Sequence, residues 1–333
     1  MIRVNKKIKK IIIMISIILV AYFVISFRNI PEEVDYGVSF NTLYARELGL
    51  EWKDVYDAIL DDLNVKKIRL AAHWDLVEPE NGEYSFSEMD YQVNKATQND
   101  VEIILAVGKR LPRWPECHIP YWAEDLNKDA QEKEILEYVE TVVSRYKENK
   151  NIKIWQVENE PFLGIFAKEH CKDFDADFLD KEIELVRKLD SSREILITDS
   201  GELSTWRNAY KRGDIFGNTL YVYAWNEWMG DFRSFVMPGF YSAKRNIWNA
   251  IYGEKEAIIA ELALEPWLDK PVVEEDLDVQ IHRMSPKKFD NVLEFSRKTG
   301  FKTQYLWGAE WWYYMDLQGN DWYWERGKEI FKK

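Results

Sequence analysis

Apolar and polar residues follow two different periods along this chain. Eight short apolar runs, rich in β-branched and aromatic residues, predict β-strands at 36–40, 67–70, 101–107, 152–157, 195–198, 219–223, 257–261 and 303–307. The intervening stretches carry apolar residues at helical spacing and predict helices at 51–64, 88–98, 130–146, 177–189, 242–251, 285–298 and 323–331. Eight strands that alternate strictly with helices predict a closed (β/α)8 barrel, also called a TIM barrel. An open, doubly wound sheet usually has fewer units and a Gly-rich phosphate loop, which this sequence lacks.

The first thirty residues differ in composition from the rest of the chain. An uncharged apolar run at 11–27 follows five basic residues: Arg3, Lys6, Lys7, Lys9 and Lys10. This pattern predicts a transmembrane or signal-anchor helix in residues 1–30, with a catalytic domain of residues 31–333 held outside the cytoplasm. The run is at the short limit for a bilayer span. Secretion after signal cleavage is the alternative, although no Ala-x-Ala-like cleavage site follows the run.

The charge balance excludes one class of partner. The chain has 45 basic and 58 acidic residues, and six of the basic ones precede residue 31, which leaves 39 against 58, or a net charge of −19, for the predicted barrel. Nucleic acid binding requires a basic surface, so we expect no nucleic-acid partner. The four His and two Cys residues do not have the spacing of a zinc site, and we expect no metal and no cofactor. We also expect a monomer.

The chain contains only two cysteines, Cys117 and Cys171. They fall in consecutive loops, after the third and fourth predicted strands, in a domain that we expect to lie in an oxidising compartment. We therefore predict a disulfide between them, with two free thiols as the alternative.

Two predicted strands end in a glutamate. The run at 152–157 leads into Asn159, Glu160 and Pro161, and the run at 257–260 is followed directly by Glu261. The active site of a (β/α)8 barrel lies on the loops that follow the strands, so these carboxylates are expected to share one pocket. Cleavage of a glycosidic bond uses such a carboxylate pair, in which a protonated acid needs a raised pKa and a nucleophile must stay ionised. A lone Asn-Glu-Pro is weak support for this chemistry, but a second glutamate at a strand end strengthens it.

These motifs resemble glycoside hydrolase clan A, the retaining (β/α)8 enzymes whose fourth strand ends in Asn-Glu-Pro and whose seventh ends in Glu. The resemblance spans residues 36–331 and is closest to family 5-like, cellulase-type sequences. It implies that Glu160 is the acid/base and Glu261 the nucleophile. It further implies substrate-site roles for four residues: Asn159 at the sugar 2-hydroxyl, Arg69 near the nucleophile, Tyr223 as a hydrogen-bond donor to the nucleophile, and Trp311 beneath the sugar.

The sequence departs from many family 5 enzymes at two strand ends. It has Val-Gly-Lys at 107–109 where they have His, and Tyr-Val-Tyr at 221–223 where they have His-x-Tyr. Trp74 and His118 are further candidates for substrate contact, with a core position as the alternative for Trp74 and a surface loop for His118. Glu158 is predicted to point away from Asn159, because neighbouring strand residues face opposite sides. Glu265 is predicted to lie in a loop past the seventh strand.

The sequence therefore predicts a retaining glycoside hydrolase that acts on a β-linked glycan or glycoside by double displacement, with carbohydrate as its partner. A transglycosylase shares the covalent intermediate and is not separable from a hydrolase by sequence. A non-catalytic carbohydrate-binding or envelope protein is the alternative from another class, and it has no need for both Glu160 and Glu261.

Overall fold

The structure, a computed structural model, describes residues 6–26, 30–164, 171 and 175–332. Eight parallel strands form a closed barrel: β1 (Asp35–Ser39), β2 (Lys67–Ala71), β3 (Glu102–Val107), β4 (Ile152–Val157), β5 (Glu194–Asp199), β6 (Ile215–Leu220), β9 (Ala257–Ala263) and β10 (Thr303–Trp307). Each barrel strand pairs with the next barrel strand along the chain, so β6 pairs with β9, and β1 closes the barrel against β10. The predicted (β/α)8 barrel is confirmed.

Helices surround the barrel in the expected alternation. Those of eight or more residues are α3 (Trp52–Asp61), α5 (Ser87–Gln98), α6 (Lys128–Tyr146), α7 (Ala176–Leu189), α9 (Pro238–Tyr252), α11 (Pro286–Lys298), α12 (Ala309–Leu317) and α13 (Trp322–Phe331). Shorter ones are α2 (Thr42–Glu47), α4 (Trp74–Val77), α8 (Arg207–Tyr210) and α10 (Leu277–Arg283). The local sequence determines where several of these helices begin. Before α11, for example, the Ser285 hydroxyl accepts a hydrogen bond from the Lys288 amide, and Pro286 takes the first helical position.

Side chains on the two faces of the barrel strands form two apolar layers. One side packs against the helices and forms the larger core, which includes Ile68, Leu70, Ile103 and Leu105. The other side fills the barrel interior with Ile104, Leu196, Ile215, Ile258, Ala260 and Tyr305. Polar side chains therefore gather above this interior layer, at the ends of the strands.

The sixth barrel strand differs from its predicted position. The aromatic and β-branched residues at 219–223 predicted a strand there, but β6 begins four residues earlier and ends at Leu220. Gly217 and Asn218 have low strand propensity, yet they are buried in the barrel, where packing outweighs that preference. Beyond β6 the chain forms a separate antiparallel hairpin, β7 (Tyr223–Asn226) and β8 (Gly230–Arg233), which the sequence did not predict.

The N-terminal segment forms helix α1 (Lys6–Ser26). Among the described residues, no helix is long and apolar enough to cross a membrane, so the predicted transmembrane helix is not supported. Four lysines occupy the first five positions of α1 and leave 16 uncharged residues. At about 1.5 Å per residue these extend roughly 24 Å, less than the ~30 Å of a hydrocarbon core. Residues 1–5 and 27–29, which include the ends of the predicted segment, lie outside the described residues.

Candidate active site

A buried polar cluster occupies the end of the barrel where the strands finish. Asn159 and Glu160 follow β4, Glu261 lies in β9, and Arg69 projects from β2. All four side chains are buried, with at most 6% of each residue exposed. The structure therefore brings together the four residues that the sequence predicted most directly.

A β-bulge turns Glu261 toward the barrel interior. Ile258 and Ala260 face the interior while Ile259 packs outward, so regular alternation would place Glu261 outside. The register between β6 and β9 shifts at this point: Asn218 pairs with Ile259, but the next residue, Thr219, pairs with Glu261. The skipped residue lets both Ala260 and Glu261 face inward, which is a known use of bulges beside active sites.

Arg69 holds this arrangement together from the opposite side of the barrel. Its Nη1 donates to Glu261 Oε1 at 3.0 Å and to the Ala260 carbonyl at 3.3 Å, so one guanidinium binds both the carboxylate and the bulge. Its Nη2 donates to Asn159 Oδ1 at 2.7 Å, and its Nε donates to Gln156 Oε1 at 2.7 Å. The planar fork of arginine can meet all these acceptors at once, which a lysine cannot do.

Glu160 has surroundings that favour a protonated carboxyl group. Burial raises its pKa well above the ordinary value, and the nearby charges of Glu261 and Glu116 raise it further. Its backbone lies in the left-handed region, with φ of 45°, and its amide donates to Thr198 Oγ1 at 2.9 Å. Such a conformation costs about 1 kcal/mol or more in a residue other than glycine, and it persists only where surrounding contacts determine it.

One threonine links the two glutamates. Thr219 is the register partner of Glu261 in the neighbouring strand, and its hydroxyl donates to Glu160 Oε1 at 2.9 Å. Adjacent strands lie about 5 Å apart. The residue beside Glu261 in the next strand therefore binds the carboxyl group of Glu160. The sequence carries no motif that would single out Thr219 or Thr198.

The tyrosine that contacts Glu261 is Tyr221, and the prediction of Tyr223 is wrong. The Tyr221 hydroxyl donates to Glu261 Oε2 at 2.8 Å, and its ring packs edge-on against Trp267 at 5.2 Å between centroids. Tyr223 lies in the hairpin, where its hydroxyl accepts from Asn291 Nδ2 at 3.4 Å. Because β6 ends earlier than predicted, the first tyrosine after the strand reaches the pocket and the second leaves it.

Two predicted substrate-binding tryptophans lie in the core instead. Trp311 and Trp74 are both 0% exposed. The Trp311 indole donates to Gln280 Oε1, and the Trp74 indole donates to Glu78 Oε2, so both polar atoms are already paired. Trp311 lies in α12, which starts just after β10. Trp307, at the end of that strand, donates its indole N–H to Glu265 Oε1 at 2.8 Å.

His118 is also buried, so its surface-loop alternative is wrong, whereas its contact with substrate stays a prediction. Its Nε2 lies 3.1 Å from the Arg113 carbonyl, and its ring packs 4.1 Å from that of His73. Burial lowers the pKa of His118 below its ordinary value, although Asp75 opposes this shift. A neutral ring here supports the loop after β3 from beneath.

Cys117 and Cys171 form the predicted disulfide, with their Cα atoms 5.3 Å apart. The bond joins the loop after β3 to the loop after β4, which are 54 residues apart in sequence. Both loops belong to the end of the barrel that carries Glu160.

Glu158 faces away from Asn159, as the sequence predicted. Its carboxyl oxygens accept hydrogen bonds from the backbone amides of Lys109 and Arg110. Gly108 permits this approach, because a Cβ at that position would lie 2.6 Å from the Glu158 carboxyl carbon. On its other side Glu158 meets Glu182 of α7, and burial followed by the charge of Glu158 raises the pKa of Glu182 well above the ordinary value. The amide contacts of Glu158 fix the start of the loop after β3.

That loop supplies a third carboxyl group near the catalytic pair. Burial raises the pKa of Glu116 to about 7, although Arg110 opposes the shift. The Arg110 Nε lies 3.4 Å from Glu116 Oε2, and the Arg110 carbonyl accepts the Asn159 amide at 2.6 Å. The sequence alone does not place Glu116 here, because the fold of residues 108–118 cannot be read from local pattern.

Glu265 lies in the loop after β9, as the sequence predicted. Its Oε1 accepts from Arg113 Nη1 at 2.7 Å as well as from Trp307, and the Arg113 guanidinium stacks on the Tyr44 ring at 3.1 Å. These contacts tie the loop after β9 to the loop after β3. Within the described part of the chain, no cluster of three or more His, Cys, Asp or Glu side chains is arranged to hold a metal ion.

Comparison with known sequences finds one matching family. The sequence model of glycosyl hydrolase family 10 matches residues 42–211, which is just over half of the chain and includes Arg69, Asn159 and Glu160. The β-galactosidase LacZ of Lactobacillus acidophilus is 26% identical over 137 residues, which is 36% of this chain but only 20% of that protein.

Solved structures share the fold at low sequence identity. The native xylanase 10B from Thermotoga maritima is 16% identical with a TM-score of 0.52, and the alignment covers 83% of both chains. A glycoside hydrolase family 5 mannosidase from Rhizomucor miehei is 14% identical with a TM-score of 0.54, over 83% of this chain and 81% of the mannosidase. The family match ends at residue 211, before β6, whereas the structural alignments cover 83% of the chain.

Proposed function

The chain belongs to glycosyl hydrolase family 10, and on this premise we propose that it is a retaining glycoside hydrolase that acts on a β-linked glycan or glycoside. Family membership confirms the resemblance to clan A, and within the clan the matching sequence model is that of family 10. In the proposed roles Glu160 is the acid/base and Glu261 the nucleophile. The single observation that supports these roles best is the Thr219 link, which holds a carboxyl group of raised pKa beside a carboxylate bound by Arg69 and Tyr221.

In the first step of the proposed reaction, Glu261 Oε attacks the anomeric carbon and the bond to the leaving oxygen breaks. Glu160 donates its proton to that oxygen, so the aglycone leaves as a neutral alcohol and the sugar is held as an ester of Glu261. Carboxyl groups about 5 Å apart are typical of this double displacement. The match to family 10 and the resemblance to the retaining enzymes of clan A support this mechanism over an inverting one.

The second step depends on a change in the charge of Glu261. Once Glu261 is esterified, it no longer raises the pKa of Glu160, although burial and Glu116 still do. Glu160 therefore becomes a better base for removing a proton from the incoming water, which attacks the anomeric carbon and releases Glu261. Asn159, fixed by Arg69, is proposed to bind the sugar 2-hydroxyl group.

The test compares two variants on two kinds of substrate. Aryl β-glycosides with a good leaving group need little acid assistance in the first step, whereas β-linked oligosaccharides need it fully. Glu160→Ala should cleave the activated substrate to the glycosyl-enzyme and then respond to added azide by forming a β-glycosyl azide. Glu261→Ala should lose activity on both substrates, by several orders of magnitude, and give no β-azide.

Glu265→Gln serves as the control, because Glu265 lies on the next loop and is paired with Arg113. Loss of the nucleophilic step in Glu265→Gln, with activity retained in Glu261→Ala, would contradict the assignment. Product analysis with an added sugar acceptor separates hydrolysis from transglycosylation. A wild-type chain without activity on any β-linked oligosaccharide or aryl glycoside would contradict the proposed function itself.

We further propose that the barrel works outside the cytoplasm. The proposal is supported by the disulfide between Cys117 and Cys171, since such bonds persist mainly in oxidising compartments, and by the basic and apolar N-terminal residues. Protease added to intact cells should degrade the barrel, or the barrel should be recovered from the medium. A barrel that is protected from protease inside intact cells, with both thiols free, would contradict this location.

A further inference from the structure

The hairpin between β6 and α9 carries an apolar tip whose shape is fixed by local contacts. The Asn226 side-chain oxygen accepts hydrogen bonds from the backbone amides of Trp228 and Met229, at 3.0 and 2.8 Å. Gly230 follows with φ of 64°, a conformation that suits glycine. Strands β7 and β8 then pair in regular antiparallel register from Asn226 and Gly230 down to Tyr223 and Arg233.

Side-chain contacts also hold the body of the hairpin against two helices. Asp231 Oδ2 accepts from Lys288 Nζ of α11 at 2.7 Å, and the Arg283 guanidinium of α10 lies 5.8 Å from the centre of the Trp225 ring. The Tyr223 hydroxyl contacts Asn291 of α11. The tip is therefore presented by a supported structure.

The tip itself faces solvent. Trp228 is 95% exposed, more than any other large apolar side chain in the described part of the molecule, and its neighbour Met229 is 51% exposed. An exposed tryptophan on a shaped and supported turn is unusual, because a large apolar surface normally finds a partner. A flat, amphipathic indole ring of this kind is suited to stacking against another molecule.

The hairpin belongs to the catalytic end of the barrel. It follows β6, and loops that follow barrel strands lie at that end. Lys288, which binds the hairpin through Asp231, is in the first turn of α11, and the helices of such a barrel start at the same end. Only Val222 separates β7 from Tyr221, which donates to Glu261. The hairpin is therefore continuous in sequence with the catalytic site.

We propose that Trp228 is a stacking platform for a glycan chain whose other sugars extend into the catalytic pocket. The inference rests on the proposed function and deepens it, because it makes the substrate a polymer instead of a small glycoside. The acidic neighbour of Trp228, Glu227, fits this partner, since carboxylates accept hydrogen bonds from sugar hydroxyl groups.

A membrane surface is the competing partner for exposed Trp and Met side chains, and charge disfavours it. Proteins that bind anionic lipid at the interface place basic residues around the apolar ones. Here the residue next to Trp228 is the acidic Glu227, and the chain after residue 30 has 39 basic against 58 acidic residues. The observations therefore favour the glycan.

Trp228→Ala in the full chain tests the platform, with Phe235→Ala as a matched control. Phe235 is also highly exposed, at 85%, and it lines a groove with Arg233 and Phe295. Phe295 is near the C-terminal end of α11, the end that lies away from the catalytic site. Trp228→Ala should lower kcat/KM on a soluble β-linked polysaccharide about fivefold or more, the usual cost of removing an aromatic anchor. The kcat/KM of Trp228→Ala on an aryl glycoside should stay within about twofold of wild type. The same holds for Phe235→Ala on both the polysaccharide and the aryl glycoside.

A second readout does not need turnover. In a Glu261→Gln background, affinity electrophoresis through gels that contain polysaccharide should show weaker retardation with Trp228→Ala but not with Phe235→Ala. Equal losses on polymer and aryl glycoside, or unchanged polymer retardation, would overturn the proposal. So would loss of flotation with phosphatidylglycerol vesicles in Trp228→Ala alone, which would identify a membrane contact. If the wild type cleaves no glycoside, the proposed function fails, and retardation of the inactive chain still decides whether Trp228 binds glycan.

Discussion

Two tyrosines separated by one residue give a sharp test of how the candidate nucleophile is held. Tyr221→Phe removes only the hydroxyl group that donates to Glu261 Oε2 at 2.8 Å. The ring and its edge-on contact with Trp267 remain, so the fold should be unaffected. Burial, followed by the charge of Glu261, raises the pKa of Tyr221 well above its ordinary value, so the hydroxyl is a donor throughout the neutral range.

The magnitude follows from the type of hydrogen bond that is lost. A bond to a charged acceptor in a buried site contributes about 1.5 to 3 kcal/mol. Glu261 keeps the Arg69 contact on Oε1 but loses the donor to Oε2, so its attacking geometry is no longer fixed. Since each 1.36 kcal/mol changes a rate about tenfold, kcat/KM should fall roughly 10- to 150-fold.

Tyr223→Phe is the matched control, because the hydrogen bond described for the Tyr223 hydroxyl comes from Asn291, at the hairpin. We expect its kcat/KM to stay within about twofold of wild type. The assay is the initial rate on whichever aryl β-glycoside the wild type cleaves, with circular dichroism and thermal unfolding to verify the fold. Equal losses in the two variants, or a Tyr221→Phe enzyme within twofold of wild type, would refute the assignment of Tyr221 as the residue that holds Glu261.

Two further predictions concern Glu116 and the disulfide. The charge of Glu116 raises the pKa of Glu160, and the acid is lost as pH rises through that pKa, so Glu116→Gln should move the alkaline limb of the kcat/KM profile to lower pH. An unmoved limb, or the same shift in the exposed control Glu80→Gln, would contradict the coupling. Replacing both Cys117 and Cys171 by Ala should lower the free energy of unfolding by up to about 4 kcal/mol, since the bond closes a loop of 54 residues. Thermal or denaturant unfolding of the wild type and the double variant, with and without reductant, measures this loss. A double variant that is as stable as the oxidised wild type would show that the bond contributes nothing.

The sequence by itself determined the architecture and the position of the two glutamates that we propose as the catalytic pair. The periods of two and of about 3.6 residues reflect which side chains each element buries, so seven of the eight strands and the main helices could be located from the pattern. Glutamates at the ends of two such strands are brought together by the barrel whatever the loops do. This is why Glu160 and Glu261 lie in one buried cluster, and why the cysteines in two neighbouring loops were paired correctly.

Only the tertiary structure decided how those groups are aimed and what surrounds them. Strand alternation would turn Glu261 outward, and the bulge at Ala260 that reverses it depends on pairing with β6 and on the Arg69 guanidinium from across the barrel. The choice of Tyr221 over Tyr223 depends on where β6 ends, which barrel packing fixes against local propensity. Trp74, Trp311 and His118 are buried because helices and loops distant in sequence cover them. Local pattern reports the preference of a segment, whereas these outcomes depend on contacts between segments that no local pattern contains.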